Sequence, residues 1–210
     1  LFKDSEIIEN PYVLFEKTLD KKEDIRIVFR KIDMAIFPAE IIQKKYSLEK
    51  PTKLDSSVDK RRIRAVLIDI LEKQALNGHS LYPYWLCIDS IKNAAIEPKC
   101  DINSDILHNI EDFLKEELTI VEIESHNSDY QYQRAFQLNR LRKIVMLIME
   151  TIPKRLNKRN VVSEENWDSI LDTFITKKSE DKEKEENARL EKKAVLQELL
   201  ESKISVLIGG

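Results

Sequence analysis

The sequence predicts a mainly helical protein with a minor β component. Only 3 of its 210 residues are glycine, although antiparallel sheets normally need glycine in their tight turns. Charged residues make up 35% and hydrophobic residues 42%, a balance typical of helices that have one solvated face. Apolar residues recur at helical spacing along the chain, most clearly at Ile63, Val66, Leu67, Ile70 and Leu71.

Residues 1–57 are interpreted as an N-terminal region of short helices and irregular segments. Asn10 and Pro11 suit the start of a short helix, as a cap and a first-turn residue. Residues 25–38 fit either a strand or a short helix, because alternation and helical spacing overlap there. Residues 48–57 indicate a connector.

Residues 58–133 predict a winged-helix-like domain. A long helix stops at Gly78, a natural helix terminator. A second helix and a third then lead into a two-stranded hairpin, and this order is that of a winged helix, a relative of the helix-turn-helix. The predicted bounds are Val58 to Gly78, Ser80 to Ile91, Asp101 to Leu118, Ile120 to Glu124, and Tyr130 to Tyr132.

The remaining chain predicts a helical region at 134–176 and a charged linker helix at 177–210 that leads into a strand. The expected elements are helices at 137–156, 163–174 and 194–200, and a strand at 204–208. Apolar side chains of the first of these helices line one side. Pro153 makes its last turn doubtful. Without parallel neighbours the terminal strand would expose an apolar edge, so we expect it to be unordered or paired with another chain.

Charge is unevenly distributed, although the net charge is only −3. Residues 97–126 are acidic and residues 134–159 are basic, which indicates either a nucleic-acid face or two stretches that offset each other in one fold. The acidic third helix has the wrong sign for insertion into a major groove. The candidate phosphate-contacting residues are Arg61, Arg62, Arg64, Arg140, Arg142, Lys143, Lys154 and Arg155.

No metal or catalytic motif is predicted. Asp101, Asn103 and Asp105 imitate the start of a calcium loop, but the sixth and twelfth positions hold Ile106 and Asp112 instead of Gly and Glu. The three histidines lack zinc-ligand spacing. Two cysteines make no disulfide framework, no apolar run is long enough to span a membrane, and we therefore expect a cytoplasmic protein.

The last residues resemble the approach to the ATP-binding loop of superfamily 1 helicases. A helix leads into the apolar segment Ile204-Ser-Val-Leu-Ile208 and then into Gly209 and Gly210. In that family the glycines begin G-x-x-x-x-G-K-T, whose backbone N–H groups surround phosphates. Further upstream, Glu9-Asn-Pro-Tyr12, Phe37-Pro38, Asp59-Lys-Arg-Arg62 and Gly78-His-Ser-Leu-Tyr-Pro83 resemble, in order, the N-terminal region of bacterial RecD-like DNA helicases.

This resemblance implies a 5′-to-3′ ATP-dependent DNA helicase of repair or recombination, related to the exodeoxyribonuclease V alpha subunit. The present residues would form the non-catalytic part ahead of the motor domains of the same chain, with single-stranded or forked DNA as the partner. ATP and Mg²⁺ would belong to the whole protein, since the Lys and Thr of the loop fall beyond Gly210 and these residues alone hold no cofactor. Glu191 stands where the family often has an adenine-contacting Gln.

Two other functions remain open at this point. A non-enzymatic winged-helix module for protein interaction or regulation is the main alternative. A winged-helix transcription factor is disfavoured by the acidic third helix.

Overall fold

The computed structural model describes residues 2–22, 24–124, 132–157, 166–175 and 181–206. The chain divides into two compact units, residues 1–143 and residues 144–210. In the described part the first unit holds one long helix, several short helices and a three-stranded sheet, and the second unit is helical. The prediction of a mainly helical fold with a small β component is confirmed.

The N-terminal region consists of four short helices: α1 (Asp4–Glu9), α2 (Val13–Glu16), α3 (Phe29–Ile36) and α4 (Glu40–Lys45). Helix α3 settles the stretch that fits either a strand or a helix. Its buried residues Phe29, Asp33 and Ile36 follow helical spacing. Tyr12 stacks on Phe29 with ring centroids 5.9 Å apart, which fixes the segment before α2 against α3.

Helix α5 (Lys60–Leu76) is the central helix of the first unit. Asp59 caps its start, since its side chain accepts a hydrogen bond from the backbone N–H of Arg61. Residues on nearly all sides of α5 are buried, and these include the charged residues Arg62, Arg64 and Glu72. Gly78 follows α5 with φ +89°, a conformation that L residues rarely adopt, and the predicted helix stop is confirmed.

The winged-helix unit continues from α5 through β1, α6, α7, α8, β2 and β3. Their bounds are β1 Tyr82–Pro83, α6 Tyr84–Lys92, α7 Ser104–Asn109, α8 Glu111–Leu114, β2 Leu118–Glu124 and β3 Tyr132–Leu138. The sheet order is β1-β3-β2 with antiparallel pairs. In a winged helix a first strand lies between the first two helices and pairs with the second strand of the hairpin, as β1 pairs with β3 here.

The third helix and the start of the hairpin differ from the prediction. The third helix is two short helices, α7 and α8, since Ile110 adopts a non-helical backbone between them. Leu118 leaves the predicted helix and pairs with Leu138 at the base of the hairpin, where both side chains are buried. This long-range pairing outweighs local helical spacing. The predicted turn at 125–129 and the start of the second strand, residues 130 and 131, lie outside the described residues.

Three long or medium helices follow: α9 (Asn139–Leu156), α10 (Trp167–Phe174) and α11 (Lys182–Glu201). Pro153 lies inside α9, which continues to its predicted end. Asn166 caps α10. In the second unit α10 packs on α11, with Arg189 bonded to Asp172 at 2.7 Å.

The predicted terminal strand is wrong over its described part. Residues 204–206 follow α11 as irregular, exposed chain, and residues 207–208 lie outside the described residues.

Candidate nucleic-acid interface

Arg62 lies in the core of the first unit and not on its surface. Its Nε and Nη2 donate to the two carboxylate oxygens of Asp33 at 2.8 and 2.9 Å. Its Nη1 donates to the backbone carbonyls of Ser57 and Pro98, and its guanidinium lies 4.3 Å from the ring centroid of Phe37. Because the side chain is 0% exposed, a phosphate group of DNA cannot reach it.

Arg64, two residues further along α5, is held in the same way. It forms a two-point ion pair with Glu16, both bonds 2.9 Å long, and a further ion pair with Glu116. Its guanidinium lies 4.0 Å from the ring centroid of Phe113. Burial by itself would lower the pKa of Arg64, but the bonds with Glu16 and then Glu116 raise it, so the guanidinium is charged and bound.

Arg61 joins the start of α5 to the N-terminal region. Its Nε and Nη2 bond Asp59 at 3.0 and 2.8 Å, and its Nη1 donates to the backbone carbonyls of Glu9 and Pro51, both at 2.6 Å. These bonds use the donors that a phosphate would need. The three arginines of α5 therefore stabilise the fold, and the structure gives none of them an open face for DNA.

The other sequence-predicted cations lie on α9. Arg140 is bound to Glu72 by two bonds of 2.9 and 2.7 Å. Lys143 and Arg155 are exposed and Arg142 is half-buried, and Lys154, also exposed, lies 3.8 Å from Glu150. Arg142, Lys143, Lys154 and Arg155 therefore remain as the candidate phosphate contacts, because water reaches them and their contacts are few or weak.

The helix that would enter a major groove in a DNA-binding winged helix, and the turn after it, present carboxylates to solvent. The Asp112 side chain is 97% exposed and that of Glu116 59% exposed. Glu111 is turned inward and bonds Arg134 at 2.5 Å, and this bond with a second one from His108 holds the pKa of Glu111 below its usual value of 4.5. Repulsion between these carboxylates and phosphate disfavours DNA contact at this position.

Helix α9 also has an exposed apolar surface, and the sequence predicts only that its apolar residues line one side of the helix. Its large exposed apolar residues are Ile144, Met146, Leu147, Ile148, Met149, Ile152 and Leu156, and none of the residues of α9 is buried. Helical spacing predicts that such residues share a face, but it contains no signal for whether a partner covers that face.

The candidate nucleotide-contacting positions are Gly209, Gly210 and Glu191. Gly209 and Gly210 lie outside the described residues. Glu191 is an exposed residue of α11 in the second unit. Within the described ranges no three His, Cys, Asp or Glu side chains group as metal ligands, and no helix is long and apolar enough to cross a bilayer.

Comparison with known proteins adds no relative. No protein-family model, no curated protein and no solved structure matches the chain. The resemblance to RecD-like helicases therefore stays a prediction from the motifs in the sequence.

Proposed function

We propose that the chain is the non-catalytic region ahead of the motor domains in a cytoplasmic, RecD-like 5′-to-3′ DNA helicase of repair or recombination. The observation that supports this most is the winged-helix connectivity from α5 to β3, a connectivity used by DNA-processing proteins. Helix α11 then leads towards Ile204–Gly210, the segment that resembles the entry to an ATP-binding loop.

In this proposal the two halves of the protein have different tasks. The motor that follows Gly210 binds ATP and Mg²⁺, and the present residues guide DNA and pack on the motor. The cations of α9 contact phosphates of single-stranded or forked DNA, with Lys143 and Lys154 as the leading pair. They are eleven positions apart, which is three helical turns, so both project from the same side of α9.

The motor is tested on the full-length protein and its gene. We expect the reading frame after Gly210 to continue with a Gly-Lys-Thr or Gly-Lys-Ser sequence. The full-length protein should hydrolyse ATP faster when single-stranded DNA is added and should unwind a duplex with a 5′ overhang. A stop codon after Gly210, or ATP hydrolysis by residues 1–210 alone, would show that the nucleotide site is wrongly placed.

DNA contact is tested separately, by salt-dependent binding of single-stranded DNA to residues 1–210. Each lost phosphate contact reduces the slope of log affinity against log salt by about 0.7, so the double variant K143E/K154E should flatten the slope by about 1.4. The variant K44E/K50E is the matched control, since it changes the charge equally on exposed lysines of the N-terminal region. Equal effects of both variants would indicate attraction by net charge only.

A protein-interaction or regulatory module is the second candidate function. The solvent-facing carboxylates of α8 and the following turn favour it, since they repel nucleic acid and suit a basic protein surface. No binding of DNA by residues 1–210 at low salt, together with a reading frame that lacks the motor, would select this candidate.

A further inference from the structure

A cavity lies in the first unit, lined by residues of α3, α5, the end of α6 and the segment that follows α6. Its volume is about 450 Å³, and sites for small molecules typically have volumes of about 300–1,000 Å³. All of its lining residues are described and belong to the first unit. The size of the cavity therefore suits a small molecule.

The walls of the cavity are mostly apolar. Phe29 of α3, Val66 and Ile70 of α5, and Ile96 line it and belong to the buried core. Ala95 forms another part of the wall and has only a methyl group, so the space beside it stays open. Water that contacts apolar walls is displaced favourably by an apolar group, in proportion to the area that becomes covered. The walls therefore favour a ligand with an apolar body.

The charged residues of the cavity favour an anion. Arg30 and Lys73 against Asp69 give the lining a net charge of +1, although the whole chain has a charge of −3. Lys73 is already bound to Asp69 at 2.6 Å. The guanidinium of Arg30 is exposed and has no hydrogen bond or ion pair within the described part of the chain. A guanidinium can hold a carboxylate by two parallel hydrogen bonds.

The same charges limit how much negative charge the ligand carries. Nucleotides and polyphosphates bring several negative charges and are normally bound by several cations or backbone N–H groups. In this lining Arg30 is the one cation without a counter-charge, and Asp69 would repel a second negative group. A singly charged ligand therefore matches the cavity better than a polyanion.

We propose that this cavity binds a small monocarboxylate with an apolar body, of the class of aromatic or branched aliphatic acids. The apolar body covers Val66, Ile70 and the neighbouring walls, and the carboxylate pairs with Arg30 at the rim. None of the lining residues is a candidate phosphate contact. The inference therefore goes beyond the proposed function and stands whether or not a helicase motor follows Gly210.

The charge selection is tested with two probes that share one ring system, 2-naphthoate and its uncharged analogue 2-naphthamide. Isothermal titration calorimetry of residues 1–210 at neutral pH should show one saturable site for 2-naphthoate. Its affinity should be about tenfold higher than that of the amide, as expected for hydrogen bonds with a charged partner. R30Q should remove this preference. K31Q makes the same change of charge at an exposed neighbour that does not line the cavity, and it should keep the preference.

The location of the site is tested by filling the cavity. A95W places a large ring where the wall has a methyl group, and it should abolish binding of both probes. A35W is the matched control, because Ala35 is an exposed alanine of α3 that does not line the cavity. Circular dichroism and urea unfolding show whether A95W folds. If it does not, the comparison of R30Q with K31Q decides alone, since both of those residues are exposed.

Five outcomes would overturn the proposal. Three concern the charge: no saturable binding of 2-naphthoate, equal affinity for the two probes, and equal losses in R30Q and K31Q. The other two concern the location: binding that survives in folded A95W, and binding that is lost in I148E. The last result would place the probe on the exposed apolar residues of α9 instead.

Discussion

Arg62 and Asp33 form a two-point ion pair in the core of the first unit, across 29 positions of the chain, with Nε–Oδ1 at 2.8 Å and Nη2–Oδ2 at 2.9 Å. The hydroxyl of Tyr12 donates to the same Oδ1 at 2.7 Å. A carboxylate at this depth is stable only while its donors remain, because water cannot replace them. The pair therefore joins α3 to α5 and makes the two helices depend on each other.

Removing one partner of this pair should destabilise the protein strongly. We expect R62M to lower the free energy of unfolding by about 3–5 kcal/mol, since methionine fills the space but leaves Asp33 without its counter-charge. Urea unfolding followed by circular dichroism measures the change. Lys60 is exposed on the same helix, and K60M should stay within about 1 kcal/mol of the wild type. Equal losses in R62M and K60M would contradict the buried pair.

The double variant R62M/D33N measures the coupling itself. Each single change leaves the other partner unsatisfied, so the double variant should lose about 0.5–3 kcal/mol less than the sum of the two single losses. Strict additivity would mean that Arg62 and Asp33 stabilise the fold independently, through packing with Phe37 and Tyr12.

The two carboxylates around Arg64 should contribute unequally to the free energy of unfolding. Glu16 is 3% exposed and Glu116 is 59% exposed at the side chain. E16Q should cost about 3 kcal/mol or more, because it leaves the buried guanidinium without a matched charge. E116Q should cost at most about 1 kcal/mol, because water solvates that site. Chemical denaturation measures the free energy of unfolding of both variants. A larger loss in E116Q than in E16Q would contradict the prediction that Glu16 is the more important partner of Arg64.

The central helix α5 could be predicted from the sequence, but the role of its arginines could not. Helix α5 follows from apolar spacing and from the stop at Gly78. The partners of Arg62 and Arg64 lie 29, 48 and 52 positions away in the chain. Local sequence contains the charge of an arginine and not the position of its counter-charge, so a surface role and a core role are indistinguishable before folding.

The same limit explains the error at the hairpin and the missing information at α9. Leu118 belongs to a helical spacing locally and to a strand only because Leu138 pairs with it. For Ile148, spacing predicts the face of a helix but contains no information on what covers that face. Sequence patterns record which side chains lie together on one element, whereas contacts between elements depend on the whole chain.

The stability of the winged-helix unit should depend on pH through Glu111. Its bond with Arg134, and then that with His108, keeps the pKa of Glu111 in the folded state below the usual 4.5. The ionised carboxylate therefore stabilises the folded state above about pH 4.5, and this contribution is lost as the pH falls through the lower folded-state pKa. E111Q should lower the melting temperature at neutral pH, and its gap from the wild type should close in acid.

The neighbour Asp112 provides the control for that measurement. Its side chain is almost fully exposed and bonds the exposed Lys115. D112N should therefore melt within about a degree of the wild type at neutral pH, since exposed pairs contribute little. A gap for E111Q that stays constant with pH would mean that the glutamate acts through packing and not through its charge.

The two thiols should report opening of the core. Cys87 and Cys100 are both 0% exposed, and burial raises the pKa of Cys87 to about 12 and that of Cys100 to about 11. Since thiolate is the reactive form, iodoacetamide at about pH 8 should label the folded protein far more slowly than the urea-unfolded protein. Labelling then proceeds through open states, whose population rises tenfold for each 1.4 kcal/mol of lost stability. R62M should consequently accelerate labelling of both thiols by about a hundredfold or more, and acceleration of Cys100 alone would show that Arg62 secures only its own surroundings.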